Sequence, residues 1–482
     1  MHITSLLLGL VIVLNIFFAI LIIFRERRDP CTIWAWLLVL FFIPLLGFVL
    51  YLLLGQNLSR YQLFQWEDLK KTEIEKMKRN QLAQLSSRQF EFCNQATRKS
   101  RELIFMNLLN NDAVLTQDNS VELFTDGHEK FGRLFQDIEA AKDHIHLEYY
   151  MIKNDQLGKK LIEVLTKKVK EGVKVRVLYD DVGSRGLTKR FFKEFREAGG
   201  EAEVFFPSKL HFFNLRLNYR NHRKLVIIDG KIGFLGGFNV GNEYLGEDPK
   251  FGYWRDTHLR MQGTAVHAIQ TRFILDWNHT SQNHKITYDP NHFPEGISQG
   301  NVGIQVVTSG PDSELEHIKN GYIKMILSAK KSVLIQTPYF VPDRSLLDAL
   351  RIACSTGVEV NIMIPNRPDH IFVYWATLSY IGELLKAGAK VYIYKNGFIH
   401  AKTMIIDEEI SSVGTANIDI RSFKLDFEVN AFLYDKGIAQ KLTKTFQEDV
   451  KVSKELTLEE YQQSPIGVRL KESISRLLSP IL

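Results

Sequence analysis

The sequence predicts an α/β fold made of two related halves that build one bilobal unit, preceded by a two-helix membrane hairpin. Three observations carry this. A motif at Asn221-His222-Arg223-Lys224-Leu225-Val226-Ile227-Ile228-Asp229-Gly230 recurs at His400-Ala401-Lys402-Thr403-Met404-Ile405-Ile406-Asp407, with its His, Lys and Asp, the first Gly of the small-residue turn that follows (Gly236, Gly414) and the Asn that ends it (Asn239, Asn417) all displaced by 178 residues. Strand-like and helix-like stretches alternate in the same order around both copies. Two long uncharged apolar runs open the chain.

Residues 1–55 read as the membrane anchor. The runs at about 3–24 and 32–54 are each long enough for a bilayer core of roughly 30 Å at about 1.5 Å per residue. Trp34, Trp36 and Tyr51 are placed as interface anchors, and Pro44 is placed to kink the second run. A signal peptide would need a basic start and a small-residue cleavage site, and neither is present. The loop arginines Arg25, Arg27 and Arg28 balance Arg60, Lys70 and Lys71 beyond the second run, so loop charge leaves the orientation tied. An even number of spans, free Cys93 and Cys354 and the absence of an export signal after Leu54 place the catalytic halves on the cytoplasmic side.

Residues 56–110, rich in Gln, Lys, Arg and Glu with interspersed Leu and Phe, read either as amphipathic helix on the membrane or as a solvated connector. The first half is expected over 111–290. A strand runs to Tyr150, a helix covers Gly158 to Glu171, and a strand covers Val173 to Tyr179. The second half, 300–482, repeats this with Ala329 to Gln336, Ser345 to Ser355 and Val358 to Ile364. Asp289 to Gly300, with two Pro and two Gly, is the expected seam. Before His222 the first half carries an insertion, Lys209 to Arg220, where the second half has only Asn396 to Ile399. It reads as a core-packed loop, or as an aromatic segment that lines an acyl-chain entrance or touches the membrane surface.

The charge of +6, with 24% charged and 45% hydrophobic residues, fits a globular body with an anionic partner. It is too mild for the dense basic groove of a nucleic-acid enzyme, so no nucleic-acid partner is expected. Three cysteines and 14 histidines show no metal-ligand spacing, so neither metal nor cofactor is expected.

Lys224 to Ile228 and Thr403 to Ile406 read as the first strands of hairpins turned at Asp229-Gly230 and Asp407-Glu408. Residues two apart on a strand share a face, so each His projects with its Lys. A neutral imidazole is a competent nucleophile near pH 7. Attack on a phosphodiester builds charge on the phosphate oxygens, which Lys224, Lys402, Asn239 and Asn417 are placed to stabilise. A second imidazole can protonate the leaving alcohol and then deprotonate the acceptor. Two copies make one site, and neither suffices alone.

Over about residues 111–482 this pattern resembles the phospholipase D superfamily, whose signature is the duplicated His-Lys-Asp motif. Gly236 to Tyr244, Tyr253 to Thr257, Thr337 to Asp343 and Gly414 to Ser422, with the N-terminal runs, are similar to bacterial cardiolipin synthases. The resemblance implies phosphatidyl transfer from one phosphatidylglycerol to another at the bacterial plasma membrane, giving cardiolipin and glycerol. It implies His222 as nucleophile and His400 as acid and base. A carboxylate on the following strand should orient each His, Asp256 in the first half and Glu428 in the second. Asp229 and Asp407 complete the motif and are expected to hold the hairpins rather than react. The superfamily often has Ser or Thr after the first Gly of the turn; Thr415 fits, whereas Gly237 does not, and there a backbone N–H is expected to meet the phosphate. Hydrolytic phospholipase D chemistry differs only in using water as acceptor, another phospholipid phosphatidyltransferase would differ only in its alcohol, and a nucleic-acid phosphodiesterase would share the same motif.

Overall fold

The computed structural model describes residues 12–20, 30–43, 68–207, 218–295 and 300–479, with positions 9, 46, 47, 49 and 51. The expected kink at Pro44 and most of the insertion before His222 (208–217) lie outside the described residues, as do parts of both apolar runs. Residues 12–20 and Pro30–Phe42 (α1) are helical. The two runs touch: Asn15 Nδ2 donates to the Leu40 carbonyl across 3.3 Å, and Phe18 and Trp36 both pack on Tyr51. Among the described residues no helix is long and apolar enough to cross a membrane.

The connector docks on the body. Helix α2 spans Asp68–Ser86 and α3 spans Arg101–Asn111. Leu85, Leu103, Ile104 and Leu108 are wholly or almost wholly buried, in one cluster with side chains of the second half. This apolar face is therefore turned to protein, as burying it there removes the same surface from water as a membrane would.

The first half contributes seven strands: β1 Thr116–Phe124, β2 His144–Tyr149, β3 Lys174–Asp180, β4 Glu201–Phe205, β5 Lys224–Ile228, β6 Ile232–Gly236 and β7 His258–Gln262. The second contributes eight: β8 Val302–Ser309, β9 Ser332–Gln336, β10 Glu359–Pro365, β11 Lys390–Tyr394, β12 Thr403–Ile406, β13 Ile410–Gly414, β14 Asp426–Tyr434 and β15 Ser453–Glu455. They form one continuous sheet in the order β15-β11-β10-β9-β12-β13-β14-β8-β1-β7-β6-β5-β2-β3-β4. Read outward from the β8–β1 contact, the two halves carry equivalent strands in mirrored order. The spatial seam is thus the antiparallel pairing of β1 with β8, Thr116 opposite Ile304 and Asn119 opposite Val302. The two expected sandwiches thus share a single sheet, while the Pro/Gly stretch before Gly300 lies between the strands of the two halves along the chain.

Both faces of this sheet are covered, which is why its central strands are apolar runs without alternation. On β5, Val226 and Ile228 enter a core beneath helices α4 (Gly127–Ala140) and α5 (Gln156–Lys170). Leu225 and Ile227 enter a core common to both halves, closed by α6 (Ala265–Thr280) and the equivalent helix Lys436–Lys451. The second half has its own outer layer, α7 (His317–Ser328), α8 (Arg344–Ser355) and α9 (Ile371–Lys386).

One buried ion cluster ties α6 to the first motif. Asp276 accepts two bonds of 2.8 Å from Arg223 and two more from Arg272, with Arg223 and Asp276 essentially sealed from water. Removing the carboxylate leaves two guanidiniums without a counter-charge, which costs about 3–5 kcal/mol. Asp276→Ala is expected to lower the thermal midpoint in detergent accordingly; an unchanged midpoint would contradict this account.

Candidate active site

Each motif forms a hairpin. At the tight turns Asp229, Gly230, Asp407 and Glu408 all have positive φ, the left-handed backbone that matches the twist of paired strands. The motif aspartates sit at these turns, at the far end of the strand from the histidines. Asp229 accepts the backbone N–H groups of Lys142, Asp143 and His144, and Asp407 accepts those of Lys330, Lys331 and Ser332. Each thereby pins its hairpin to the neighbouring strand, β2 or β9.

Two short strand pairs bring the halves together at the other end. Arg220–Asn221 runs parallel to the start of β14, with Arg220 opposite Asp426 and Asn221 opposite Phe427. One residue further on, His222 faces Glu428. In the same way Trp254–Arg255 runs parallel to Phe398–Ile399, and one residue further on Asp256 faces His400. The main chain holds these registers: His222 N–H donates to the Phe427 carbonyl (3.0 Å) and His400 N–H to that of Arg255 (2.7 Å).

The result crosses the halves. His222 Nδ1 lies 2.8 Å from Glu428 Oε1, and His400 Nδ1 lies 2.6 Å from Asp256 Oδ2. Both carboxylates belong to the expected set, but each orients the histidine of the opposite half rather than its own. A carboxylate accepts a hydrogen bond from Nδ1–H, which leaves Nε2 of each ring as the nitrogen turned to a substrate. Lys224 Nζ donates to the His222 carbonyl (2.6 Å) and Lys402 Nζ to the His400 carbonyl (2.5 Å). Lys402 Nζ also lies 3.0 Å from His400 Nδ1, a nitrogen whose shorter partner is Asp256.

Burial dominates the electrostatics. It holds His222 well below its ordinary pKa, helped by the cations of Lys224 and Lys402. Burial lowers His400 too, with Lys402 adding to the effect and Asp256 opposing it. Burial brings Lys224 down to about 7 and Lys402 down to about 8. The carboxylates part ways: burial pushes Glu428 up to about 7, whereas at Asp256 the same burial is outweighed by Lys402 and His400, which leave it below its usual value.

The phosphate contacts expected around the two turns are mostly occupied within the protein. The Gly237 N–H donates to the Thr257 carbonyl (2.9 Å), so it is not directed at a substrate. A Cβ at this position would lie 2.0 Å from Asp256 Oδ1, which is the steric reason for Gly there. Gly237→Ala is expected to displace Asp256, lower the turnover rate about 100-fold and also lower stability, since the methyl group enters a packed, buried site; a rate within twofold of wild type would refute this. The Thr415 hydroxyl is buried, bonded to the main chain of Val429 and close to Glu428. Asn239 accepts the Met151 N–H and donates to the Tyr244 hydroxyl. Asn417 is buried beside the second turn with its side-chain oxygen lacking a hydrogen-bond partner, so it retains capacity toward a ligand.

Other groups around the histidines carry no signal in the motif itself. The Tyr150 ring packs edge-on to His222 at 5.0 Å, and Trp254 lies 5.2 Å from His400. Arg421 acts on His222, while Asp369, hydrogen-bonded by the Tyr339 hydroxyl, acts on His400 and Lys402. Arg421 and Tyr339 stand in recognisable stretches; Asp369 lies in a loop with no pattern of its own.

Comparison with known proteins agrees with this arrangement. The family model described as "Cardiolipin synthase, PLD-like domain" matches residues 134–250 and 322–450, and "Phospholipase_D-nuclease N-terminal" matches residues 13–56. The chain is 68% identical to the major cardiolipin synthase ClsA of Bacillus subtilis (strain 168) over the full length of both chains. It is 56% identical to the cardiolipin synthase of Oceanobacillus iheyensis, again over the full length of both. Among solved structures, the phosphatidylserine synthase of Haemophilus influenzae Rd KW20 superposes with a TM-score of 0.60 at 16% identity, covering 81% of this chain and 100% of that one, a likeness of fold. The duplicated hairpins, the crossed carboxylates and full-length identity of this degree have one reading in common: the chain belongs to the cardiolipin synthase family of phospholipase D-like proteins.

Proposed function

We propose that the protein joins two phosphatidylglycerol molecules into cardiolipin, releasing glycerol. The observation that carries this is the pair of histidines from opposite halves, each held at Nδ1 by a carboxylate and backed by a buried lysine. His222 Nε2 attacks the phosphorus of the first lipid. The P–O bond to glycerol breaks, and His400 gives its proton to the leaving oxygen. His400 then takes the proton from a headgroup hydroxyl of the second lipid. That oxygen attacks the phosphatidyl-histidine, forms the new P–O bond and frees His222. The lower pKa of His222 suits the nucleophile, while Asp256 favours a proton on His400. Lys224 and Lys402 oppose the charge that builds on the phosphate.

The same reading places the chain in the bacterial plasma membrane, with residues 1–55 as a two-span anchor and the halves at 111–290 and 300–482 on the cytoplasmic side. The uncharged runs, the contact between them and the outward-facing Trp34, Leu38, Phe41 and Phe42 support it.

Purified protein incubated with labelled phosphatidylglycerol tests the reaction. Cardiolipin with equimolar glycerol is expected; phosphatidic acid alone would mean hydrolysis. The lysines also set a pH dependence. Their depressed pKa values, about 7 and about 8, mean that the ammonium charge is present below this window and lost above it. The rate at limiting substrate is expected to fall as pH rises through about 7 to 8, and a rate still flat about one unit higher would contradict the role of the lysines.

A further inference from the structure

The last helix described, α10 (Ile466–Leu477), packs parallel to α9. Lys471 lies over the Trp375 ring at 5.2 Å, and Arg476 lies over Tyr380 at 4.4 Å and donates to Ser379 Oγ. This register brings the first turns of both helices to the same end. There the surface is apolar and open to solvent: Ile371 is 64% and Phe372 54% exposed, Ile466 86% and Leu470 59%. Ile474 and Leu477 continue the stripe along α10 at 48% and 81%. So many exposed large side chains at helical spacing on one face call for a partner.

Its position and charge identify the partner. Ile371 follows Asp369 by two residues; Asp369 is bonded by the Tyr339 hydroxyl, and the residue after Tyr339, Phe340, pairs with Ile418 beside Asn417, so the patch begins near the second turn of the active site. Arg469 and Lys471 flank the stripe, while the one acid of α10, Glu472, is buried and bonded by the Tyr461 hydroxyl. A basic amphipathic helix of this kind lies in the interface of an anionic bilayer. A second copy packed on this face about a two-fold axis would set Arg469 and Lys471 against their own equivalents.

We propose that the first turn of α9 and the outer face of α10 dock on the anionic lipid surface beside the active site. This rests on the reading that the substrate is a membrane lipid, and it assigns a contact separate from residues 1–55. An anchor tethers the body; this face orients it, so that a headgroup meets the histidines without leaving the bilayer.

The test uses the full chain with Cys31, Cys93 and Cys354 replaced by Ser, reconstituted in phosphatidylglycerol–phosphatidylethanolamine vesicles. A nitroxide at Leu470→Cys is expected to collide more with oxygen than with a water-soluble nickel chelate. A nitroxide at Lys193, whose side chain is 67% exposed on the first half, is expected to show the reverse. Nickel dominating at position 470 would overturn the proposal, as would mutual broadening between nitroxides of two copies. In a second arm, Ile466→Ser with Leu470→Ser, Ile474→Ser and Leu477→Ser is expected to slow turnover about tenfold in vesicles and leave it unchanged in detergent mixed micelles. Equal rates in both media would overturn it. If wild-type protein makes no cardiolipin in either medium, the proposed reaction fails, while the nitroxide result still decides the docking.

Discussion

His222→Ala and His400→Ala proteins are each expected to form no measurable cardiolipin, a loss of at least about three orders of magnitude. Without His222 there is no nitrogen to carry the phosphatidyl group. Without His400 the glycerol oxygen leaves unprotonated and the acceptor hydroxyl keeps its proton. The two variants should also differ in kind. His400→Ala retains the nucleophile and can label slowly at His222, whereas His222→Ala cannot. Radiolabel from phosphatidylglycerol on denatured protein, read beside lipid chromatography, separates them. Mixing the two variants is expected to restore nothing, because one chain holds both histidines and both carboxylates. Substantial recovery would show that sites form between chains.

The carboxylates are expected to be unequal. Asp256→Asn should cost on the order of 1000-fold in turnover, since an amide cannot hold the His400 tautomer or offset its positive charge. Glu428→Gln should cost only about tenfold at neutral pH. With its pKa pushed up to about 7, Glu428 already carries a proton for part of the time, and the amide imitates that form. Asp256 stays below its ordinary value and has no protonated population to imitate. Steady-state rates of both variants, with circular dichroism to confirm folding, decide the matter. Equal losses, or the larger loss at Glu428, would remove the proposed division of labour between the histidines.

Much of this site was legible because duplication makes chemistry visible. One His-x-Lys is unremarkable; two at a fixed offset, each followed by a Gly and an Asn, point to one shared site. The hairpins were legible too, since Asp-Gly and Asp-Glu turns bound apolar runs. The crossing of the carboxylates was not. Asp256 and Glu428 could each be found as the acid after its own motif, but nothing local to either strand says which histidine it meets. That is decided by two-residue strand pairs between segments far apart in the chain, too short to leave a periodic pattern. The single sheet escaped for a similar reason: the β1–β8 seam is an irregular contact between strands that resemble any others. The roles given to Thr415 and Gly237 were chemically reasonable, but neighbouring main-chain groups claim the same hydrogen bonds.

The short strand pairs next to the histidines also have a consequence for synthesis. A chain leaving the ribosome exposes His222 some two hundred residues before Glu428, and Asp256 well before His400. Through that interval the first half can fold around most of its outer core, yet His222 has no carboxylate to fix its ring and no second histidine beside it. On the proposed reaction, a half-made protein would therefore lack a complete site. On that reading activity would begin only when the second half docks, and the first turnover of each molecule would mark the completion of its folding.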